Sequence, residues 1–582
     1  MTTTFLKGKD RPLEATIADL SARLEALGFG VEEASWLHPV PGVHSVHLRH
    51  PACPLLFTNG KGATEAACRA SALAEFVERL ANNYFFADFY LGPETAAADF
   101  VHYPDERWFA IPADDSLPAG LLDDDLRAIY DPDGELVASH LVDTNSGAFG
   151  RGVCALPYVR QRDGAVRWFP VNLIGNLYVS NGMSAGNTPE EAQVQGLAEV
   201  FERAVKNRIL AEGIALPQVP AAVLARFPRI GEGVAALAAA GFGVRVCDAS
   251  LGGRFPVMNV TLLNPAEGSV FASFGAHPTM EIALERALTE LLQGRGLDAL
   301  AGFPPPSFDM AEVADPQNLE LHFIDSSGVV GWDFLREDPD HAFVDWNLET
   351  DNAGERDDLI GRLHALGHEV FIADYDHLGA YACRILVPGL SEIYPVDELV
   401  VNNNNEGARV RSRILSLRDL TAADWAALYA ELEAGGHNDY QEVAEFIGVA
   451  ADPGSLWAEL RLGELKAMLA LASGDHEAAL EWVGWCLFAG QLPAARHRHY
   501  RCVHALLEMA LAGRDRDAFR PALTALYGAD TVAGAEAVVD RSEVFRGLSS
   551  PGPGLAGMQR HQALLAAYRK LDAVKRQAAG LA

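Results

Sequence analysis

Two stretches of this chain repeat a polar pattern that a helix built only for a core does not need. GATEAACRASALAEFVER (62–79) and GNTPEEAQVQGLAEVFER (186–203) align without a gap. Gly62, Thr64, Leu73, Ala74, Glu75, Glu78 and Arg79 fall on Gly186, Thr188, Leu197, Ala198, Glu199, Glu202 and Arg203. A third stretch, PTMEIALERALTELLQGR, sets Thr279 on Thr188, Arg286 on Gln195, Glu290 on Glu199 and Gln293 on Glu202. At about 100° per residue, Ser71, Glu75, Glu78 and Arg79 project from one side of the first helix, opposite Leu73, Phe76, Val77 and Leu80. Glu191, Gln195, Glu199, Glu202 and Arg203 share one side of the second, and Arg286, Glu290 and Gln293 one side of the third.

Taken singly, Glu75–Arg79 and Glu199–Arg203 read as solvated i, i+4 ion pairs worth about 0.3–0.5 kcal/mol each. The repetition points further. If the three polar faces converge, Glu75, Glu78, Glu199, Glu202 and Glu290 crowd five carboxylates together, which is tolerable only with protonation or bound cations. Hard oxygen ligands suit Mg²⁺, which is held by a few carboxylates together with substrate phosphates. Arg79, Arg203 and Arg286 supply forked donors for phosphate oxygens. The pattern therefore suggests a metal-bridged nucleoside triphosphate. No G-x-x-x-x-G-K-[ST] loop and no kinase motif set competes. NGKGAT (59–64) and NGMSAGNT (181–188) place glycines ahead of helix N-termini, which serves either anion binding or plain turn geometry.

The elements that must carry these faces are themselves repeated. Helix, glycine stop, strand, turn, strand is spelled three times, with Gly28, Gly241 and Gly367 at the stops. Each polar helix follows a β-rich run and opens on threonine; Thr188-Pro189-Glu190-Glu191 is a cap, a first-turn proline and a capping-box glutamate. The expected fold class is α+β, with mixed or antiparallel sheets and helices against them, over residues 1–420. Residues 95–142, rich in Asp and Pro, are expected to be a peripheral insertion. From 421 to 582 the alanine- and leucine-rich texture predicts an all-α domain resembling tetratricopeptide repeats, as in LRLGELKAMLALASGDHEAALEWVGWCL.

Composition sets the limits. The 582 residues are 49% hydrophobic, enough for more than one core, and carry a formal charge of −33, which repels nucleic-acid backbones. No stretch reaches the roughly 18 apolar residues of a membrane span, and the start has no apolar signal region, so a cytoplasmic protein is expected. Cys53, Cys68, Cys154, Cys247, Cys383, Cys486 and Cys502 are scattered and read as buried, reduced thiols, neither a disulfide frame nor a zinc site.

The same residues resemble a known family. SALAEFVER matches the S-x-x-x-E-x-x-E-R element of the YcaO proteins, AQVQGLAEVFER resembles their second element and ERALTELLQGR their third. The likeness runs from GKD near the start through NLYVSNGMSAGNT and HFIDSSG to the helical tail. It implies the YcaO fold and an ATP- and Mg²⁺-binding protein of a family that activates peptide backbone amides by phosphorylation. By the resemblance, Glu75, Glu78, Glu199, Glu202 and Glu290 are metal-side ligands. Ser71, Arg79, Ser184, Asn187, Glu191, Gln195, Arg203 and Arg286 attend the nucleotide, with Lys9 and Thr16 beside them. Members of about this length are associated with β-methylthiolation of a small-subunit ribosomal protein, so the implied partners are that protein and a radical methylthiotransferase, and the expected assembly is a homodimer. The tail, YRKLDAVKRQAAGLA, departs from the proline-rich tail of azoline-forming members, which puts heterocycle formation in doubt. There is no Cys-x-x-x-Cys-x-x-Cys cluster of a radical enzyme. Two functions stay open: an amide-activating or ATP-hydrolysing enzyme, and a non-catalytic, nucleotide-dependent scaffold that recruits partners through its helical tail.

Overall fold

In a computed structural model, which describes residues 3–147, 149–300, 302–396, 405–489 and 492–581, the predicted αββ unit occurs three times and each copy gains a third strand. Helix Leu13–Ala26 precedes β1 (Glu32–Val40), β2 (Val43–His50) and β3 (Cys53–Gly62), and β3 feeds the first motif helix, Glu65–Ala81. Next come β4 (Arg107–Phe109), β5 (Val153–Arg160) and β6 (Val166–Pro170), then β7 (Met183–Gly186), which feeds the second motif helix, Pro189–Glu212. Helix Pro228–Ala239 leads to β8 (Gly243–Asp248), β9 (Val257–Asn264) and β10 (Ser269–Ala276), and so to the third motif helix, Met280–Glu290. Helix Asn352–Ala365 leads to β11 (Phe371–Tyr375) and β12 (Tyr381–Leu386). Gly28, Gly241 and Gly367, the predicted stops, have φ of +75°, +102° and +90°, the left-handed conformation that glycine adopts without strain.

The sheets are antiparallel throughout: β1-β2-β3, β10-β9-β8, and β4-β5-β11-β12-β7 with β6 on β5. β7 pairs with β12 as β3 pairs with β2 and β10 with β9. The third unit is thus the same αβββα module as the others, with its last strand and motif helix placed earlier in the chain. The motif helices close a cycle. The first packs on β2 and β3 and reaches β7 and β12; the second packs on β7 and β12 and reaches β9 and β10; the third packs on β9 and β10 and reaches β2 and β3.

The predicted core faces are buried. Leu73, Phe76, Val77 and Leu80 join Val46, Leu48 and Leu56; Leu197, Phe201 and Val205 join Val270, Ile372 and Ile385; Leu288 and Leu292 join Val43 and Leu262. Each such side chain contributes about 1.5–3 kcal/mol by leaving water, which pins its helix and fixes where the polar face points. The glycines of NGKG serve this packing: a Cβ on Gly60 would meet the Cys68 carbonyl oxygen at 2.4 Å, and one on Gly62 the Cys68 nitrogen at 2.6 Å. Close strand–helix approach, which is neither anion binding nor turn geometry, accounts for these two glycines.

Two expectations about domains need correction. Residues 95–142 are not peripheral: they supply β4, and Phe109, Leu121, Leu122, Leu126 and Tyr130 fill a core with Tyr158, Phe169 and Phe371. Their apolar residues, diluted by Asp and Pro, were hidden in the composition. The helical tail does form a stack, Leu462–Ser473 against His476–Ala489 and onward, with the Gly474 turn at φ +86°. It is not walled off at 420, however. Helix Asn405–Leu415 contributes Val410, Ile414 and Leu415 to the tail's core, and the last helix, Gln559–Ala578, returns to place Leu564, Ala567, Tyr568 and Leu571 among Phe29, Leu80 and Phe86.

Candidate nucleotide and metal site

The cycle of helices brings the polar faces together. Lys61, at the end of β3, pairs with Glu290 of the third motif helix and donates to Gln293 Oε1 at 3.1 Å. It also lies in the field of Glu75 on the first helix and of Glu199 and Glu202 on the second. Arg79 reaches Glu75 at 3.5 Å and Glu78 at 3.6 Å, its guanidinium 4.2 Å from the centre of the Tyr84 ring. Arg286 does not pair with Glu290 one turn on; it crosses to Gln195 of the second helix and donates to the Ala276 carbonyl at 2.8 Å.

The electrostatics match that crowding. Burial lifts the Glu78 carboxyl to about 8 against the pull of Arg79, with Glu199 and Glu75 adding repulsion. Burial likewise raises Glu199, opposed by Arg203, and lowers Lys61 and Arg286, opposed by the surrounding glutamates. The expectation that five carboxylates require protonation or bound cations is thereby refined. Lys61 and the three arginines are internal cations that act on these acids. Among the described residues, the only three His, Cys, Asp or Glu ligand atoms within 4.8 Å of one another belong to His102, Asp143 and Cys154, outside this site.

A second network holds the N-terminal segment on the second motif helix. Glu191 accepts from Lys9 Nζ at 3.2 Å, from the Asp10 nitrogen at 2.9 Å and from Asn187 Nδ2 at 3.0 Å, while Thr16 Oγ1 donates to Asn187 Oδ1 at 2.9 Å. Lys9, Thr16, Asn187 and Glu191 therefore form one group. The capping box is only half made: Thr188 Oγ1 accepts from the Glu191 nitrogen at 3.2 Å, but the glutamate carboxylate turns to Lys9. Ser71 is half-buried, one turn before Glu75. Ser184 is not brought into either group: fully buried, it donates to the Ala192 carbonyl at 2.7 Å and faces Cys383 Sγ at 3.2 Å, under the helix.

Sequence reasoning missed Lys61, Lys206, His277 and Glu355. Lys61 stood inside NGKG, read there for its glycines. Lys206 lies one turn beyond Glu202 on the same helix face, a periodicity that could have found it. Buried His277 and Glu355 approach at 3.7 Å beside Arg286 and come from elements with no shared pattern.

The donor set fits a polyphosphate bridged by a hard divalent cation: carboxylate oxygens from three helices, and guanidinium groups with hydrogen-bonding capacity to spare. Among the described residues, Arg79 Nη1 and Arg203 Nε are buried without a hydrogen-bond partner. Three αβββα modules presenting acids and arginines to one another define a nucleotide- and metal-binding class of protein.

The chain belongs to the YcaO family. The family described as YcaO cyclodehydratase, ATP- and Mg²⁺-binding, matches residues 59–391, and its C-terminal domain matches residues 407–577. ATP and Mg²⁺ are thus the ligands of the family to which this chain belongs. The ribosomal protein S12 methylthiotransferase accessory factor YcaO of Escherichia coli is 51% identical over 581 residues, 99% of each chain. A Haemophilus influenzae protein described as uncharacterized is 49% identical over 580 residues, 99% of each. The solved YcaO of Methanopyrus kandleri, bound with AMPPCP and Mg²⁺, is 19% identical with a TM-score of 0.42, covering 67% of this chain and 95% of that one. No helix among the described residues is long and apolar enough to cross a membrane.

Proposed function

We propose that this chain binds ATP with Mg²⁺ on its three motif helices and uses it to activate a backbone amide, as accessory factor to the methylthiotransferase that modifies ribosomal protein S12. The observation that carries the reading is the meeting of the three helices around Lys61, which pairs with Glu290 of the third and lies in the field of Glu75 of the first and of Glu199 and Glu202 of the second. Glu75, Glu78, Glu199, Glu202 and Glu290 would hold the metal side, and Arg79, Arg203 and Arg286 the phosphates. Mg²⁺ held there would neutralise charge that develops on a transferring phosphoryl group. The protein's own part is placement: each polar face is fixed by the apolar face behind it. Lys9, Thr16, Asn187 and Glu191 tie the N-terminal segment to the same helix and complete the nucleotide's surroundings. The near-full-length identity to the Escherichia coli accessory factor supports the choice of partner. The strongly acidic surface suits a cytoplasmic protein that meets a basic ribosomal partner.

The test is phosphate release from ATP by the purified full chain, with and without S12 and with the cognate methylthiotransferase. Turnover that S12 stimulates, and that Glu202→Gln abolishes, is the expected result. ATP binding without turnover under every combination would replace the enzyme by the nucleotide-dependent scaffold.

A further inference from the structure

We propose that Lys206 is a positioning residue that aims Arg203 at the nucleotide, acting through the turn His322–Ser326. The inference deepens the reading above and rests on Arg203 facing the nucleotide.

Lys206 is 4% exposed and extends from the second motif helix one turn beyond Glu202. Its ammonium donates to the His322 carbonyl and, at 2.9 Å, to Ser326 Oγ, so it closes a clip across the turn. Between those acceptors lies Phe323. Its carbonyl accepts from Arg203 Nη1 at 3.2 Å, and the Arg203 guanidinium sits 4.8 Å from the centre of its ring. The turn is held from its other side as well. Arg295 Nη2 donates to the Asp325 carbonyl at 3.0 Å, the Ser327 nitrogen donates to Asp325 Oδ1 at 3.0 Å, and Ser326 adopts φ +62°. Asn318 and His322 anchor its exit by bonds to Val329 of 2.7 Å and 3.1 Å.

The consequence is electrostatic. A guanidinium fixed by a bidentate carboxylate has its charge largely neutralised, whereas one fixed by a backbone carbonyl and an aromatic face keeps its charge for an incoming phosphate. Arg203 is fixed in the second way, and its Nε remains buried without a partner among the described residues. What holds the carbonyl and ring in place is the turn, and what holds the turn to the helix that carries Arg203 is Lys206. Burying an ammonium is costly, and a lysine that only filled space would be better replaced by an apolar chain of the same length. Here the buried amine, whose basicity burial lowers to about 7, keeps both hydrogen bonds and so fixes the relation between helix and turn.

The experiment is a double-mutant cycle on the full chain, read as affinity for ATP in the presence of Mg²⁺, with melting temperature measured alongside. Lys206→Met is expected to weaken binding by about tenfold in the parent and by less than about twofold in an Arg203→Ala background, because the two residues act as one unit. Phe323→Leu is expected to show the same pattern with a smaller loss, and Lys206→Arg to restore part of the affinity. Should Lys206→Met fail to fold, Ser326→Ala, which keeps the ammonium and removes one acceptor, runs the same cycle. An equal loss in both backgrounds, or no loss in the parent, overturns the proposal while leaving the nucleotide reading intact. Unchanged affinity in Arg203→Ala itself removes the premise and overturns both.

Discussion

The chain holds one buried and one half-buried group of titratable side chains, built to opposite specifications. In the first, His102 Nε2 and Asp143 Oδ2 lie 2.6 Å apart with Cys154 beside them, and the second Asp143 oxygen accepts from the Ser146 nitrogen at 2.7 Å. Glu106 nearby accepts from the nitrogens of Val101 and His102 at 2.8 and 2.7 Å and from the Trp108 indole at 2.7 Å. In the second, the proposed nucleotide site, carboxyls are pushed up by burial and by one another, and two guanidinium groups have buried nitrogens with no partner among the described residues. The first group pairs its carboxylates, its ring and its backbone donors internally, as buried polar groups in a folded protein normally do, with the Ser146 hydroxyl left over. The second is left incomplete, as the proposed nucleotide and cation would require. A buried polar cluster is therefore informative about function by what it lacks.

The largest effect that sharpens this contrast is expected in the closed group. Asp143→Ala leaves the His102 ring and the Ser146 nitrogen buried without their acceptor, a loss of about 3–5 kcal/mol for a broken buried pair. Urea unfolding should show that loss, while the folded fraction binds ATP and Mg²⁺ as the parent does. A variant as stable as the parent would erase the distinction from this side.

In the open group the signs reverse. Glu199→Gln and Glu202→Gln relieve repulsion, so the ligand-free melting temperature should hold or rise, while ATP affinity falls by more than about tenfold. Calorimetric titration with and without Mg²⁺ checks the premise, since equal affinities would mean that the carboxylates hold no cation. Arg286→Ala should be milder in the ligand-free state. It gives up bonds to the Ala276 carbonyl and to Gln195, and should lose most of the ATP-induced rise in melting temperature. A full shift by ATP would assign Arg286 to helix packing alone.

The open group was the more legible of the two in the sequence, for a physical reason. Glu75, Glu78, Glu199, Glu202 and Glu290 recur because three modules repeat, and the 3.6-residue period turns recurrence into a shared face. The same repetition exposed Gly28, Gly241 and Gly367 as helix stops and gave the αββ units. What stayed hidden depends on contacts between distant segments. Nothing in the spacing of His102, Asp143 and Cys154 announces a cluster. Lys61 meets Glu290 only because the third helix crosses the first sheet, and β7 pairs with β12, almost two hundred residues later. The last helix reads as another member of a stack, yet Lys575 reaches Asn83 Oδ1 and the His102 carbonyl, contacts that no local pattern encodes.

The smallest predicted effect concerns acid, and its sign follows from the closed group alone. Burial by itself would raise the Asp143 carboxyl; the His102 ring beside it more than offsets this and holds the carboxyl below its ordinary value. A carboxyl lowered on folding contributes stability that is fully present above the unfolded value of about 4, and is lost as pH falls through the folded value. Asp143→Asn keeps the shape and removes the titration. The stability difference between parent and Asp143→Asn should therefore narrow as the pH drops below about 4, when the parent's carboxyl takes up its proton. Unfolding free energies measured across that range decide the matter, because the other carboxylates titrate alike in both proteins and cancel. A difference that stays flat from about pH 5 to pH 3 would mean that the Asp143 carboxyl binds its proton alike in the folded and unfolded chains, so that its charge contributes nothing to stability.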